Sequence, residues 1–280
     1  MKIERIAAFC DGETGGNPAG VVIEDSLPDA ATMQRVAAEV GYSETAFAAR
    51  AGNGADDAWR VRYFAPKMEV DFCGHATIAL GAALAARIGD GTFALELNHA
   101  RITVEGRCAG AKMAAALQSP PTRSEPAGET LVREALALFG WTAEDLDVRI
   151  PPARATAGGD NLVLALKSRK LLAEMRYEME AGRRLAVREN LATFGLIWAE
   201  TPTLFHARNP FPAGGVYEDP ATGSAAAALG GYLRDLNWPS GGALDILQGE
   251  DMGMPSRLRA EWTPEKGASV RVSGAARRMG

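Results

Sequence analysis

The chain has 280 residues, enough for two compact domains that each bury a core of their own. Apolar residues make up 47% of the sequence, so a largely disordered protein is excluded. The net charge of −5 argues against a nucleic-acid partner, because phosphate binding needs a concentrated basic face. We find no signal peptide, no bilayer-spanning run, no nucleotide-binding motif and no metal-ligand spacing among the cysteines and histidines. We therefore expect a cytoplasmic protein with no membrane partner, metal or cofactor.

The periodicity of apolar residues predicts alternating strands and helices. An N-terminal strand is followed by a helix over residues 33–40, which should end at Gly41, and by a strand from Tyr42. The same order returns in the second half, where a helix from Leu185 should end at Gly195 before the next strand. Further strands are predicted at 92–97, 101–105, 243–247, 257–262 and 269–273.

Two segments about half a chain apart repeat one pattern: a loop with an acid and a glycine, then a helix of small residues. They are residues 70–81 and 219–230. The repetition predicts a duplicated α+β unit, in which each helix N-terminus offers unpaired amide N–H groups to an anion. Tandem prolines within 118–126 mark a linker. We predict an N-terminal domain of residues 1–117, with a strand near 268–280 as a candidate to complete it, and a C-terminal domain of residues 118–267.

Five short motifs follow one another along the chain: Asn17-Pro18-Ala19, Ser43-Glu44-Thr45-Ala46-Phe47, Cys73-Gly74-His75-Ala76-Thr77, Glu218-Asp219-Pro220-Ala221-Thr222-Gly223-Ser224-Ala225 and Gly253-Met254-Pro255-Ser256. In sequence and order they resemble those of PhzF-like proteins, the phenazine-biosynthesis isomerase family of the diaminopimelate-epimerase-like superfamily. The resemblance implies an α+β fold of two pseudo-symmetric domains, each a curved mixed β-sheet wrapped around a central α-helix. It also implies an active site in the cleft between the domains, and a homodimer. Met254 stands where the family pattern has arginine.

Racemases of this superfamily use two thiols, one on each side of the substrate carbon. Here Cys73 occupies the first loop, but the repeat places Thr222 at the matching position of the second. A threonine hydroxyl is too weakly acidic to carry protons near neutral pH. Inversion by two thiols is therefore disfavoured, and we interpret Cys73 as a small buried side chain, with a catalytic role as the alternative.

Glu44 is the strongest candidate for chemistry. It begins an apolar segment in which no other side chain ionises up to Ala49, and the repeat sets Trp198 opposite it rather than a second acid. A carboxyl group in such surroundings is suited to take up a proton and return it. The alternative is a glutamate that lies on an exposed strand face or caps a turn. The resemblance favours the first interpretation, because the matching glutamate is the family's acid/base.

The other site residues depend mostly on the resemblance. His75 and Asp219 are further catalytic candidates, because an imidazole can donate a hydrogen bond to the substrate and a carboxylate can fix a hydroxyl, an amine or the imidazole. Alternatively, His75 caps a helix and Asp219 starts a turn. The candidates for substrate binding lie in the family motifs or at the two helix N-termini: Asn17, Gly74, Thr222, Gly223 and Ser224.

These residues together predict a cofactor-independent isomerase. Glu44 would take a proton from one carbon of a small carboxylic acid and return it to another. Two alternatives stay open from the sequence. One is an epimerase or racemase that uses Cys73 with a non-thiol partner, and the other is a non-catalytic homologue that binds a small molecule.

Overall fold

The computed structural model describes residues 1–52 and 58–280. Strands and helices alternate along the chain in the order β1 (Glu4–Ala8), β2 (Asn17–Glu24), α1 (Ala30–Val40), β3 (Thr45–Arg50), β4 (Trp59–Phe64), β5 (Glu69–Val70), α2 (Gly74–Ile88), β6 (Gly91–Glu96), β7 (Arg101–Ala109), β8 (Lys112–Gln118), β9 (Arg123–Pro126), α3 (Glu129–Phe139), β10 (Ala153–Thr156), β11 (Asp160–Ala165), α4 (Arg169–Ala173), α5 (Met179–Arg188), β12 (Thr193–Ala199), β13 (Leu204–Phe211), β14 (Val216–Asp219), α6 (Gly223–Asp235), β15 (Ala243–Gln248), β16 (Ser256–Trp262) and β17 (Val270–Arg278). Among the described residues, no helix combines the length and the apolar character needed to cross a membrane.

The chain divides into two compact units. Unit 1 consists of Met1–Gln118 together with Ser273–Gly280, and unit 2 consists of Ser119–Val272.

In unit 1 the strands close around one helix. From β1 to β8 the neighbours are β1–β2 antiparallel, β2–β3 parallel, β3–β4 antiparallel, β4–β6 parallel, and β6–β7 and β7–β8 antiparallel. Strand β17 pairs with both β8 and β1, which closes the ring. Helix α2 packs against β1, β2, β3, β7 and β8, and each of its residues from His75 to Ala85 is buried.

Glycine permits the close approach of α2 to β7. A Cβ atom on Gly106 of β7 would lie only 2.1 Å from the carbonyl oxygen of Gly81 in α2. No side chain fits between two backbones at that distance, so glycine is required at this crossing. The small residues that the sequence shows in this helix are therefore a packing requirement, since strands surround it.

Unit 2 repeats this connectivity. The pairs β10–β11 antiparallel, β11–β12 parallel, β12–β13 antiparallel, β13–β15 parallel and β15–β16 antiparallel follow the same order as those from β1 to β7. Strand β9 pairs with β10, and α6 packs against β9 to β12, β15 and β16. The structure confirms the internal duplication predicted from the two loop-helix segments.

The helices that precede the repeated strands end differently from one another. Helix α1 ends before Gly41, which takes a left-handed φ of 72° as predicted. Helix α5 ends at Arg188, and Asn190 takes the left-handed φ of 52°, whereas Gly195 lies inside β12. The predicted helix end at Gly195 is therefore wrong. Asparagine also tolerates the left-handed conformation that ends a helix, so the glycine was not needed for it.

This correction changes the residue that matches Glu44 in the repeat. Strands β3 and β12 begin at Thr45 and Thr193, so the residue before β12 is Ala192. Trp198 lies near the end of β12 and does not match Glu44. The repeat still places no second acid at the position that matches Glu44, because Ala192 carries no ionisable group.

Candidate active site

Glu44 is held between a helix end and a strand. The turn at Gly41 redirects the chain out of α1, and Glu44 directly precedes β3. Its carbonyl oxygen accepts a hydrogen bond from the Gly20 amide at 3.2 Å, which continues the β2–β3 pairing. The buried face of α1, with Met33 and Val36, packs in a cluster with Phe47 of β3. The backbone of Glu44 is thus fixed by elements on both sides, and its side chain is only 13% exposed.

The N-terminus of α2 brings Cys73 and His75 to the same place. Cys73 has extended backbone angles and is the N-cap, and the helix begins at Gly74. The Thr77 side chain donates back to the Cys73 carbonyl oxygen at 2.7 Å, and the buried Tyr63 hydroxyl lies 2.6 Å from Thr77 Oγ1. Burial raises the pKa of Tyr63, so the phenol stays neutral in this network. These bonds fix the first turn from inside the unit.

Three polar side chains meet at this turn. The Cys73 thiol donates to Glu44 Oε2 at 3.4 Å and lies 3.4 Å from His75 Nδ1. His75 Nε2 lies 3.5 Å from the same Glu44 oxygen and 3.2 Å from Ser43 Oγ. Cys73 and His75 are both buried. A carboxyl group, an imidazole and a thiol within reach of one another can exchange protons with each other and with a bound molecule.

The backbone amides in the first turn of α2 are suited to bind an anion. The side chain of Cys73, the N-cap residue of α2, makes no capping hydrogen bond to the helix. The first N–H groups of a helix have no intrahelical acceptor, and the helix dipole makes that end partly positive. A carboxylate placed at Gly74 would therefore meet both donors and a favourable field.

The loop before α6 is the corresponding part of unit 2. Asp219 ends β14, Thr222 is the N-cap of α6, and the Thr222 hydroxyl donates to Asp219 Oδ2 at 2.5 Å. The buried Gln248 amide donates to the Asp219 carbonyl oxygen at 2.7 Å and accepts from the Thr222 amide at 3.2 Å. Asp219 is buried.

The remaining predicted site residues have different surroundings. Asn17 begins β2, is buried and lies opposite Ala8 in the sheet. Gly223 and Ser224 form the first turn of α6, where Gly223 is buried and Ser224 is partly exposed.

Sequence reasoning did not predict that Cys73 and Ser43 join Glu44 and His75 in one cluster. Cys73 is small and buried as interpreted, but its sulfur also contacts both Glu44 and His75. Ser43 stands in the sequence only as the first residue of a family motif, and in the structure its hydroxyl contacts the His75 imidazole. The one signal for Cys73 was its place directly before a predicted helix, two positions from His75. No local pattern signals the contact of Ser43.

The chain is similar to known proteins over nearly its whole length. The PhzC-PhzF family model, described as phenazine biosynthesis-like protein, matches residues 6–279. Trans-2,3-dihydro-3-hydroxyanthranilate isomerase of Pseudomonas aeruginosa is 33% identical over 284 residues, which cover 96% of this chain and 94% of that protein. An uncharacterized isomerase of Mesorhizobium japonicum is 32% identical over 283 residues, covering 95% of this chain and 92% of that protein. A solved structure of a PhzF-family protein from Bacillus anthracis matches with a TM-score of 0.86 at 23% identity, covering 100% of this chain and 98% of that one.

Proposed function

Because the chain belongs to the phenazine biosynthesis-like protein family and is an isomerase, we propose that it moves a proton between two carbon atoms of a small carboxylic acid. Its α+β fold is of the diaminopimelate-epimerase-like type, as the resemblance implied. In the proposal Glu44 is the general acid/base and no cofactor takes part. The observation that carries it is the position of Glu44 Oε2, 3.4 Å from Cys73 Sγ and 3.5 Å from His75 Nε2 in a largely buried site.

The proposed reaction begins when the Glu44 carboxylate takes a proton from a carbon that is acidic through conjugation. The electron pair of the broken C–H bond moves into the conjugated system and creates an enol-like intermediate. The Glu44 carboxylic acid then returns the proton to a different carbon, so that the product is an isomer of the substrate. His75 donates a hydrogen bond to the developing negative charge, and the amides at Gly74 hold the substrate carboxylate.

The assignments in unit 2 rest on the family motif. Asp219 is proposed as a catalytic residue, and the hydroxyl of Thr222 fixes its carboxylate. Gly223 and Ser224 are proposed to bind substrate through the amide and the hydroxyl of the first helix turn. Asn17 is assigned to substrate binding on the same resemblance.

A deuterium-exchange assay tests the role of Glu44. Unsaturated and amino-hydroxy carboxylic acids are the class to test first, because one relative is named for trans-2,3-dihydro-3-hydroxyanthranilate. NMR spectroscopy in deuterated water would follow both the shift of the double bond and the incorporation of deuterium. Glu44→Gln should lower turnover by about 10²–10⁴-fold, the usual contribution of a general acid/base. The matched control is Glu39→Gln, since Glu39 lies on α1 in an exposed ion pair with Arg35.

The outcome is clear in either direction. Loss of exchange in Glu44→Gln, with a circular dichroism spectrum and melting temperature like those of Glu39→Gln, supports the proposal. Full activity of Glu44→Gln on a substrate that the native chain isomerises contradicts it.

One contact favours a second candidate function, epimerisation with Cys73 as one of two acid/base groups. The thiol donates to the Glu44 carboxylate at 3.4 Å, so the carboxylate can take its proton and leave a thiolate as one of the two groups, with the second on the other face of the carbon. Under this alternative the product inverts at one carbon without a shift of a double bond. Cys73→Ser should then abolish turnover, whereas an isomerase that depends on Glu44 should retain it.

Two expectations from the sequence stay predictions. The homodimer is testable by size-exclusion chromatography with light scattering, and the cytoplasmic location by fractionation of cells.

A further inference from the structure

We propose that Glu44, Cys73 and His75 form a binding site for a zinc-class divalent cation, and that the bound ion reversibly inhibits the enzyme. Carboxylate oxygen, thiolate sulfur and imidazole nitrogen are the three donor types that Zn²⁺ takes in proteins. Within residues 1–52 and 58–280, this is the one group of three such donors whose ligand atoms lie within 4.8 Å of one another. Binding rests on this cluster alone, whereas inhibition also rests on the proposed role of Glu44.

Two of the three distances between the donors match those around a tetrahedral ion, and the third is a few tenths of an ångström longer. Bond lengths of about 2.3 Å to sulfur and about 2.0–2.2 Å to nitrogen and oxygen require donor separations of about 3.3–3.6 Å. Glu44 Oε2 is 3.4 Å from Cys73 Sγ and 3.5 Å from His75 Nε2. The third separation, from Cys73 Sγ to His75 Nε2, is 3.9 Å. Small side-chain rotations therefore bring all three donors onto one ion, with the fourth corner open to water or a small ligand.

The charges in the cluster also suit a divalent cation. A carboxylate and a thiolate together neutralise two positive charges, and the other neighbour of His75 Nε2 is the neutral hydroxyl of Ser43. Binding would break the S–H bond of Cys73, form a sulfur–metal bond and release the proton to the buffer. The partial positive charge at the start of α2 repels a cation, but it is only about half an elementary charge. The three ligands bind the ion directly, so their attraction outweighs this repulsion.

The consequence for catalysis follows from the shared oxygen. Glu44 Oε2, the atom proposed to carry the proton, would be a ligand and could no longer accept one. His75 would be held by the same ion and could not donate its hydrogen bond. A chelator that removes the ion should restore both groups.

Cobalt(II) provides a direct test of binding, because thiolate ligation and four-coordinate geometry give it intense near-ultraviolet and visible absorption bands. The reduced, chelator-treated native protein is titrated with Co²⁺ and then with Zn²⁺. We expect the bands to saturate at one Co²⁺ per chain and to disappear when Zn²⁺ displaces it. Cys73→Ser should remove the thiolate band. Cys108→Ser is the matched control. Cys108 lies in β7 and is not one of the three clustered residues, so this variant should leave the spectrum unchanged.

The outcomes separate this proposal from the proposed function. Bands in the native protein that disappear in Cys73→Ser support the site, and a parallel loss of deuterium exchange on adding Zn²⁺, reversed by chelator, supports inhibition. Bands without any loss of exchange would establish the site and contradict inhibition, and with it the essential role of Glu44. Absence of a thiolate band in the native protein, or its persistence in Cys73→Ser, would overturn the site even if Glu44→Gln proved inactive.

Discussion

A buried ion pair between Arg208 and Glu218, the residue before Asp219, allows a test of how burial affects the stability of unit 2. Arg208 of β13 donates through Nε to Glu218 Oε1 at 2.9 Å and through Nη2 to Oε2 at 2.5 Å. The two side chains are only 8% and 3% exposed. Burial alone would lower the pKa of Arg208, but the hydrogen bonds and charge of Glu218 outweigh it and the pKa is raised. Arg208 therefore stays charged, and its partner Glu218 directly precedes Asp219 in the chain.

Arg208→Met is expected to cost about 4 kcal/mol of the free energy of unfolding. Two charges about 4 Å apart at an effective dielectric constant of about 20 attract one another by about 4 kcal/mol. Breaking one partner of a buried pair typically costs about 3–5 kcal/mol, because the other charge is left unpaired. The hydrogen bond from Arg208 to the Ala173 carbonyl oxygen at 2.9 Å is lost as well. The methionine retains much of the volume of the arginine stem, which limits any additional packing loss.

Urea denaturation would measure this cost against two further variants. Arg208→Met combined with Glu218→Leu should be more stable than Arg208→Met alone, because the unpaired carboxylate is removed. The control is Arg259→Met, since Arg259 and Asp245 form an ion pair at 3.2 Å with side chains 46% and 51% exposed. That pair should be worth no more than about 1 kcal/mol. If Arg208→Met costs no more than the control, the burial argument is refuted.

Two further predictions concern polar groups. Gln248→Leu should cost about 2–4 kcal/mol of the free energy of unfolding in urea denaturation, because it removes two buried hydrogen bonds, one to the Asp219 carbonyl oxygen and one from the Thr222 amide. The same cost in Gln118→Leu, at an exposed position, would contradict this. The Arg149 guanidinium holds the pKa of the Asp147 carboxyl below its usual 3.8. Because the pKa is lower in the folded state, the Asp147 carboxylate stabilises the folded protein at pH values above the ordinary pKa. This stabilisation is lost as the pH falls through the lowered pKa. Asp147→Asn should therefore flatten the decline of stability in acid, and an unchanged pH profile would show that the pair contributes nothing.

The fold and the site could be predicted from sequence to different degrees. Helices α1, α2 and α6 and the loops before the last two could be predicted, because glycine and small-residue patterns act locally. The end of α5 could not, since Asn190 competes with Gly195 for the same backbone role. Whether Cys73 is only a packing residue also could not be decided, because that depends on what lies across from its sulfur.

The sequence by itself determined that two similar units exist and that each starts a buried helix from a loop with an acid and a glycine. These features follow from residue spacing and from backbone preferences within a few positions. Only the tertiary structure decided that the Glu44 carboxylate meets the Cys73 thiol, 29 positions later, at 3.4 Å. That distance depends on the pairing of β3 with β2 and on the packing of α2 inside its ring of strands. Both are contacts between residues far apart in sequence, so no short segment of the chain predicts them.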